Sequence, residues 1–279
     1  MNRAALRKRS DATLRELGFY LDEINDHVEK EEYIFSDPVR FMHEFTLKQD
    51  KEVAGFLAAL LAWGRRDIVI AKSAELFMRM GSSPYQFVMK YGQPEFKYLE
   101  GFKHRTFRAE DLHGIILSLK SILHDFEDFE AFWADCYRKA QQTRRPLIAL
   151  FREQFLNQSN GMLKRTLKHI STPEKGSPCK RLFMYLRWTI RKNSPVDPGI
   201  WDFMTPAELQ IPLDVHVARQ SRRYGLLTRK SNDWEAVQQL TATLRKLNKD
   251  DPARYDFALF GLGALNCALP GKYLLNKEY

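Results

Sequence analysis

Apolar side chains recur at helical spacing along most of this chain. One helix face is formed by Val53, Phe56, Leu57, Leu60 and Leu61, and a longer apolar stripe runs from Leu112 to Phe126. Alternating apolar and polar runs bounded by tight turns, which would indicate strands, are missing. The pattern therefore predicts an all-α fold. Further helices are expected at about 67–80, 145–156, 161–170, 178–191, 215–225, 233–247 and 254–266.

Glycine and proline interrupt this pattern at four places. Shorter breaks lie at 81–84, 92–94 and 171–178. The longest break runs from Asn193 to Pro212 and contains four of the twelve prolines. We expect it to be the main internal loop of the fold.

The composition adds a basic excess to this picture. The 279 residues carry a formal net charge of +9, which favours an anionic partner, and the chain is long enough to bury a sizeable core. No apolar run reaches the roughly 18 residues of a membrane span, and the basic start, Met1 to Arg9, leads into no apolar leader segment. We expect a cytoplasmic protein, nucleoid-associated if it is bacterial, that does not engage a membrane.

The cysteine pattern argues against a metal centre. Cys136, Cys179 and Cys267 are far apart and odd in number, which excludes a C-x-x-C zinc site, an all-cysteine iron–sulfur cluster and a disulfide framework. We therefore expect any chemistry to proceed without a metal or another cofactor.

Charge is distributed unevenly along the chain. Residues 180–230 contain ten Lys and Arg against four Asp and Glu, whereas residues 21–52 contain four basic residues against ten acidic ones. This polarity predicts that one face attracts phosphate.

The first candidate reactive group is Lys180. It follows a Gly-containing turn, Pro173 to Pro178, between predicted helices at 161–170 and 178–191. Ser177 is a suitable N-cap and Pro178 fits the first helical position, which would make Lys180 the third residue of the helix. The positive end of the helix dipole and the adjacent Arg181 should then favour a neutral, nucleophilic lysine that can form a Schiff base. Free N–H groups at the same helix start, near Gly176 and Ser177, would favour a phosphate.

The second candidate is Asp214. It follows the extended approach of Ile211 to Leu213 at the start of the predicted 215–225 helix, where the dipole keeps a carboxylate ionised. Such an anion can stabilise a developing positive charge. The same helix carries Arg219, Arg222 and Arg223, which we expect to meet a nucleic-acid backbone, and Gly225 suits its C-terminal end.

These two segments resemble the helix-hairpin-helix DNA glycosylases, in which a lysine follows the hairpin and an aspartate lies in a V-D-x-H/R-V type of motif. Pro212-Leu213-Asp214-Val215-His216-Val217 is similar to that motif, and Lys180-Arg181-Leu182-Phe183 stands at the position of the lysine. The sequence most resembles the archaeal 8-oxoguanine DNA glycosylase branch and its bacterial relatives, over about residues 50–267. The resemblance implies a monomeric, bifunctional glycosylase and AP lyase that repairs double-stranded DNA by base excision.

The resemblance further implies a two-lobed helical fold. One lobe would span 50–195 with the hairpin and Lys180, the other would combine 1–49 with 212–279 and carry Asp214 at its entry, and 196–211 would connect them. Two features depart from the family. The usual L-P-G-x-G hairpin signature is replaced by Pro173 to Gly176, and the C-terminal cysteine cluster of some members is missing.

Other side chains have competing interpretations. Trp63 and Arg65 follow the predicted 51–62 helix, where they could stack on a base or fill the gap left by a flipped base, but Trp63 could equally be a buried side chain. His216 is expected to be packed or hydrogen-bonded rather than a general base. We expect Trp188 in the core. Arg187, Arg191 and Lys192 are expected at a solvated or phosphate-facing edge, and Asp256 and Asn266 have no assigned role.

Two other functions remain open on the sequence. A non-catalytic DNA- or RNA-binding protein would keep the same basic scaffold, and a helical interaction protein would bind an acidic protein. Catalytic turnover would distinguish the enzyme from the non-catalytic nucleic-acid-binding protein. Failure to bind duplex DNA at low salt would favour the helical interaction protein. The damaged base is assigned to 8-oxoguanine by the resemblance alone.

Overall fold

Helices dominate a computed structural model of the chain, which describes residues 7–159, 162–265 and 267–276. Two strands of two residues each, Lys103–His104 (β1) and Phe107–Arg108 (β2), pair antiparallel with Lys103 opposite Arg108. The helices of these residues are α1 (Asp11–Val28), α2 (Glu31–Ile34), α3 (Arg40–His43), α4 (Lys48–Leu61), α5 (Arg66–Met80), α6 (Pro84–Lys90), α7 (Ala109–Asp125), α8 (Phe129–Thr143), α9 (Leu147–Asn157), α10 (Lys180–Ile190), α11 (Val215–Arg223), α12 (Trp234–Arg245) and α13 (Tyr255–Ala264), and the 3-10 helices are Pro94–Tyr98, Lys164–Lys168, Pro173–Lys175, Pro206–Glu208, Pro252–Arg254 and Gly271–Tyr273.

Helix α4 lies at the centre of the larger group of helices. Every residue from Glu52 to Leu61 is buried, because this helix is apolar on nearly all sides and needs partners all round. Those partners are α3, α5, α6, α8 and α10. The stripe predicted from Val53 to Leu61 is thus one part of a helix enclosed by others.

Helix α13 organises the other group, because it packs against both α1 and α11. Two glycines permit this close approach. A Cβ on Gly261 would lie 2.8 Å from Val28 Cγ2, and one on Gly263 would lie 2.9 Å from His216 Cβ. N-terminal and C-terminal segments therefore meet in one group, although α3 packs against α4 instead. The two-lobe division and the glycosylase-like fold remain predictions.

The all-α prediction is confirmed, but the short helices α2, α3 and α6 were not predicted and three other details differ. The expected helix at 161–170 is a 3-10 helix at Lys164–Lys168, and Met162 and Leu163 precede it as non-helical residues. The α1 helix and the small β1–β2 hairpin were not predicted, the hairpin because strands of two residues are too short to show alternation. Trp188 is fully buried, as expected. Asn266 lies outside the described residues.

Arg187 and Arg191 correct a prediction, because neither lies at a solvated edge. Each is only 3% exposed, and both reach the fully buried carboxylate of Asp197 in the loop after α10. Arg187 also pairs with Asp256 on α13, and Arg191 pairs with Glu29 at 2.7 Å, at the end of α1. Because α10 packs against α4 of the larger group, these ion pairs connect it to the group formed by α1, α11 and α13. Lys192, with its side chain 51% exposed, is the solvated member of the three.

Glu52 attaches the long loop to the core. Its buried carboxylate accepts hydrogen bonds from the backbone N–H groups of Phe129 and Glu130 at the start of α8 and from Trp201 Nε1 at 2.7 Å. Burial raises the pKa of Glu52 to about 7, with a further contribution from the nearby Asp128.

Within the described part of the chain, none of the helices has the length and apolar character required to cross a membrane. The same residues contain no group of three or more His, Cys, Asp or Glu side chains arranged to hold a metal ion.

The raised pKa of Glu52 predicts a pH-dependent stability. Between the ordinary pKa of 4.5 and about 7 the folded protein holds a proton that the unfolded chain releases, so the free energy of unfolding should fall as the pH rises through this window. Glu52→Gln should reduce this pH-dependent fall in the free energy of unfolding by about 3 kcal/mol. Urea unfolding at pH 5 and pH 8 measures it. The two proteins are compared by the difference in the free energy of unfolding between these pH values. The absolute values are not compared, because the Gln amide also changes the hydrogen bonds and so alters the stability at every pH. Parallel pH profiles for the two proteins would contradict the assignment.

Candidate active site

A cavity of about 690 Å³ opens between the two groups of helices, and it contains both candidate reactive residues. Lys180 enters it from the start of α10, and Asp214 from the start of α11. The other lining residues come from the α2–α3 and α4–α5 connections, the β1–β2 turn, and helices α5, α10, α11 and α13 with the residue that follows α13. They are Asp37, Pro38, Ala62, Gly64, Arg65, Arg66, Val69, Arg105, Met184, His216, Phe260, Ala264 and Leu265.

Lys180 is the first residue of α10, not the third as the sequence predicted. Cys179 precedes the helix in a left-handed conformation with φ of 47°, and Ser177 Oγ accepts a hydrogen bond from the Cys179 N–H at 3.2 Å. Ser177 therefore stabilises the turn rather than capping the helix. The half-buried Lys180 side chain makes no hydrogen bond or ion pair with any residue that the structure describes. Its amine is available to a ligand in the cavity.

Asp214 caps α11, as predicted. Its Oδ1 accepts hydrogen bonds from the N–H groups of His216 and Val217, both at 2.8 Å. The approach to it is fixed, because Leu213 is buried and the Ile211 N–H donates to Thr241 Oγ1 at 3.1 Å. The carboxylate is thereby held at the cavity wall, with its second oxygen free of these backbone bonds.

Asp256 on α13 is close enough to Lys180 and Asp214 for both charges to affect its pKa. Burial raises its pKa to about 6, and the negative charge of Asp214 adds to this, while Arg187 and Lys180 oppose it. Asp256 therefore experiences the charges of both candidate residues. No role for Asp256 could be assigned from the sequence, because its partner, Arg187, is 69 residues away along the chain.

Arg66 forms a rigid cationic part of the cavity wall. Its guanidinium donates to the Tyr33 hydroxyl at 2.7 Å and pairs with Asp37 at 3.2 Å. It also lies 4.3 Å from the ring centroid of Phe260, in a cation–π contact. The neighbouring Arg65 is different, since its side chain is 79% exposed and pairs only with Asp67.

Trp63 is not among the residues that line the cavity. Its ring packs edge-on against His104, with centroids 5.5 Å apart, and also contacts His169. Arg105, at the exposed β1–β2 turn, covers the same ring at 4.8 Å and does line the cavity. The geometry gives Trp63 a packing role and makes Arg65 and Arg105 the side chains at the cavity mouth.

The predicted phosphate-binding turn contains Gly176 in a left-handed conformation. Gly176 is exposed, adopts a φ of 74° and accepts a hydrogen bond through its carbonyl from the Trp234 N–H at 3.1 Å. Its own N–H donates to Pro173. The backbone N–H groups of Lys180 and Arg181 have no partner among the described residues, so they are the free donors at this helix start.

Two of the predicted DNA-contacting arginines are held inside the protein. Arg181 donates to the backbone carbonyls of Leu60 and His169, and its burial lowers its pKa to about 10. Arg222 is 5% exposed and donates to the carbonyls of Arg229 and Ser231. Helical spacing could not show these inward orientations. Arg219 on α11 is exposed, and Arg223 is half-buried.

His216 has the packed role that the sequence favoured. Its Nδ1 lies 3.2 Å from the Gly263 carbonyl, and its ring packs against Phe260. Both side chains line the cavity, His216 from α11 and Phe260 from α13.

Sequence reasoning missed much of this wall. Asp37, Arg66, Arg105, Met184 and Phe260 come from five separate segments and share no motif. Of the two adjacent arginines after α4, the sequence analysis selected Arg65. The structure shows that Arg66 is the more enclosed of the two, with its side chain 29% exposed against 79% for Arg65.

A comparison with known families matches residues 37–265, more than half of the chain, to a family described as a protein of unknown function (DUF2400). The chain belongs to the DUF2400 family. Every residue that lines the cavity falls inside the matched region of this DUF2400 protein. No curated protein and no solved structure matches it.

The capping role of Asp214 can be separated from its charge. Asp214→Ala should lower the free energy of unfolding by about 1 kcal/mol, because two N–H groups lose their acceptor, whereas Asp214→Asn should cost much less since Asn is an equally good cap. Chemical denaturation of both variants measures this. Equal losses in the two would contradict a capping role.

Proposed function

We propose that this protein is a DNA base-excision glycosylase with AP-lyase activity, which acts through Lys180 as nucleophile and Asp214 as electrostatic stabiliser. One observation carries the proposal. A lysine that has no hydrogen-bond or ion-pair partner among the described residues and a carboxylate fixed by two backbone hydrogen bonds line the same cavity, at the starts of two different helices.

The chemistry requires a flipped nucleotide, because a base stacked in duplex DNA is out of reach of such a pair. The unprotonated Lys180 amine attacks the sugar C1′, the bond from C1′ to the base breaks, and the base leaves with the electron pair and takes up a proton. The ring oxygen then departs as the lysine nitrogen forms a protonated imine. Loss of a C2′ proton expels the 3′ phosphate and cuts the strand.

Asp214 stabilises the positive charge that develops on the sugar as the base leaves. A fixed carboxylate suits this role because its position costs no reorganisation during the reaction. Removal of one such group from an active site typically slows the chemical step by about 10²–10³. Asp256, whose pKa is raised to about 6, is held by Arg187 behind the pair.

The proposed DNA-binding surface surrounds the cavity mouth. It consists of the free N–H groups at the start of α10, the exposed turn at Gly176, and the side chains of Arg65, Arg105 and Arg219. Each can meet a phosphate or the gap left by the flipped base. Arg181 and Arg222 are left out of this surface because their guanidinium groups bind backbone carbonyls.

An oxidised purine, 8-oxoguanine, is the proposed substrate on the strength of the family resemblance. The cavity volume of about 690 Å³ accommodates a flipped base, since ligand pockets typically measure about 300–1,000 Å³. The Phe260 ring and the Arg66 guanidinium offer a flat wall to such a base.

Borohydride trapping tests the proposal. The wild type should give a covalent adduct with a duplex that contains 8-oxoguanine or an abasic site, and should nick it. Lys180→Gln should lose both the adduct and the nick but still bind the duplex, and Asp214→Asn should slow base release by about 10²–10³.

Lys249→Gln is the matched control, because Lys249 is an exposed lysine after α12 that lies outside both the cavity and the proposed DNA-binding surface. It should trap and cut like the wild type. Trapping by Lys180→Gln would refute the mechanism. Salt-sensitive binding by the wild type without turnover on a panel of damaged duplexes would favour the non-catalytic binding protein instead.

A further inference from the structure

Arg66 is a charged residue of the cavity that the proposed mechanism does not use. Its Nη2 atom serves both of its polar partners, the Tyr33 hydroxyl at 2.7 Å and the Asp37 carboxylate at 3.2 Å. Its Nε and Nη1 atoms donate to no acceptor among the described residues, and neither is closed off from solvent. Because the side chain is 29% exposed and lines the cavity, these N–H groups are available to a molecule inside it.

The cavity wall carries more cationic than anionic side chains. Four of the residues that line it are Lys or Arg, and two are Asp. One oxygen of Asp37 accepts a backbone hydrogen bond and the other pairs with Arg66, whereas Asp214 is the carboxylate assigned to the sugar. The nearby ion pair of Arg187 with Asp256 adds one charge of each sign. A molecule in the cavity therefore meets a positive electrostatic environment.

The aromatic ring of the cavity is already in contact with a cation. The Arg66 guanidinium lies 4.3 Å from the centroid of the Phe260 ring, and both side chains line the cavity. An aromatic face attracts a positively charged ligand through a cation–π contact, but Arg66 occupies that contact on Phe260. A cationic base, such as a purine alkylated at N7 or N3, would meet a second positive charge instead. A neutral base meets no such repulsion.

A base fits Arg66 better than a backbone phosphate does. Arg66 is held within the wall by its partners, whereas the side chain of the neighbouring Arg65 is 79% exposed at the cavity mouth, where the phosphates of bound DNA would pass. The flipped base is the part of the substrate that enters the cavity.

We propose that Arg66 is a catalytic residue that stabilises the negative charge on the departing base, and that the enzyme acts on neutral oxidised bases rather than on cationic alkylated ones. This inference rests on the proposed glycosylase activity. As the Lys180 amine bonds to C1′, the bond from C1′ to the base breaks and its electron pair stays on the base nitrogen. A neutral base is then an anion until it takes up a proton from water.

A fixed cation beside the base stabilises this anion without reorganisation during the reaction. An alkylated purine differs, because it enters with a positive charge and leaves as a neutral molecule. It therefore gains nothing from Arg66 and is repelled by it before the reaction begins.

Single-turnover rates on a damaged base and on a preformed abasic site test the proposal. The wild type should release 8-oxoguanine faster than N7-methylguanine, although the alkylated base has the weaker glycosidic bond. Arg66→Gln should slow the release of 8-oxoguanine about 10²-fold, and it should slow strand cleavage at the abasic site far less, because no base departs there. Arg66→Lys keeps the charge and should recover part of the lost rate.

Two further variants serve as comparisons. Arg65→Gln should weaken DNA binding and slow both reactions to the same degree, because Arg65 belongs to the proposed DNA-binding surface. Arg138→Gln changes an exposed arginine of α8 outside the cavity and should leave both rates unchanged. If Arg66→Gln does not fold because the buried Asp37 has lost its cation, the double variant with Asp37→Asn removes both charges and should show the same selective loss.

The outcomes separate this proposal from the proposed function. Equal slowing of both reactions by Arg66→Gln would overturn the role of Arg66 and leave the lyase chemistry of Lys180 standing. Release of N7-methylguanine by the wild type at least as fast as 8-oxoguanine, or release of neither base, would do the same. A wild type that fails to cleave even the abasic site would overturn the proposed function, and this inference with it.

Discussion

The buried ion pairs of Arg187 and Arg191 with Asp197 are the constraint on which the candidate site depends. Arg187 on α10 and Arg191, the residue that follows this helix, are each 3% exposed, and the Asp197 side chain that both bind is fully buried. Removing one partner of a buried pair typically costs about 3–5 kcal/mol, because the remaining charge is left without compensation. Arg187 also binds Asp256 on α13, and Arg191 also binds Glu29 after α1. Since α10 itself packs against α4, these pairs join the larger group of helices to the group of α1 and α13. The start of α10 carries Lys180.

The charges in the cavity follow from this arrangement. Asp256 is close enough to Asp214 and Lys180 for both charges to affect its pKa, and its ion pair with Arg187 holds it in place. Arg66 is fixed in the same way by Asp37 and Tyr33. The fixed carboxylates lie in the wall, while Lys180 has no partner among the described residues. A site built in this way keeps its charged groups in position without a ligand and leaves one nucleophile available.

Local signals in the sequence were enough to predict α11 and the cap at Asp214, because an N-cap depends on a few adjacent residues. They also predicted α10 but placed Lys180 two residues too far into it, since the left-handed conformation of Cys179 has no glycine or asparagine to indicate it. Arg187 was misjudged for a different reason. Charge and spacing do not reveal that the fold brings Asp256, 69 residues later in the chain, into contact with Arg187. The cavity walls were missed because the fold alone brings their segments together.

The central claim is that Lys180 is the residue that reacts with DNA. Mass-spectrometric mapping of the borohydride-reduced adduct on the wild-type protein tests it most directly, because the covalent bond records which nitrogen attacked the sugar. The modified peptide should carry the sugar remnant on Lys180. A remnant on Lys175, on another lysine or on the terminal amine would contradict it.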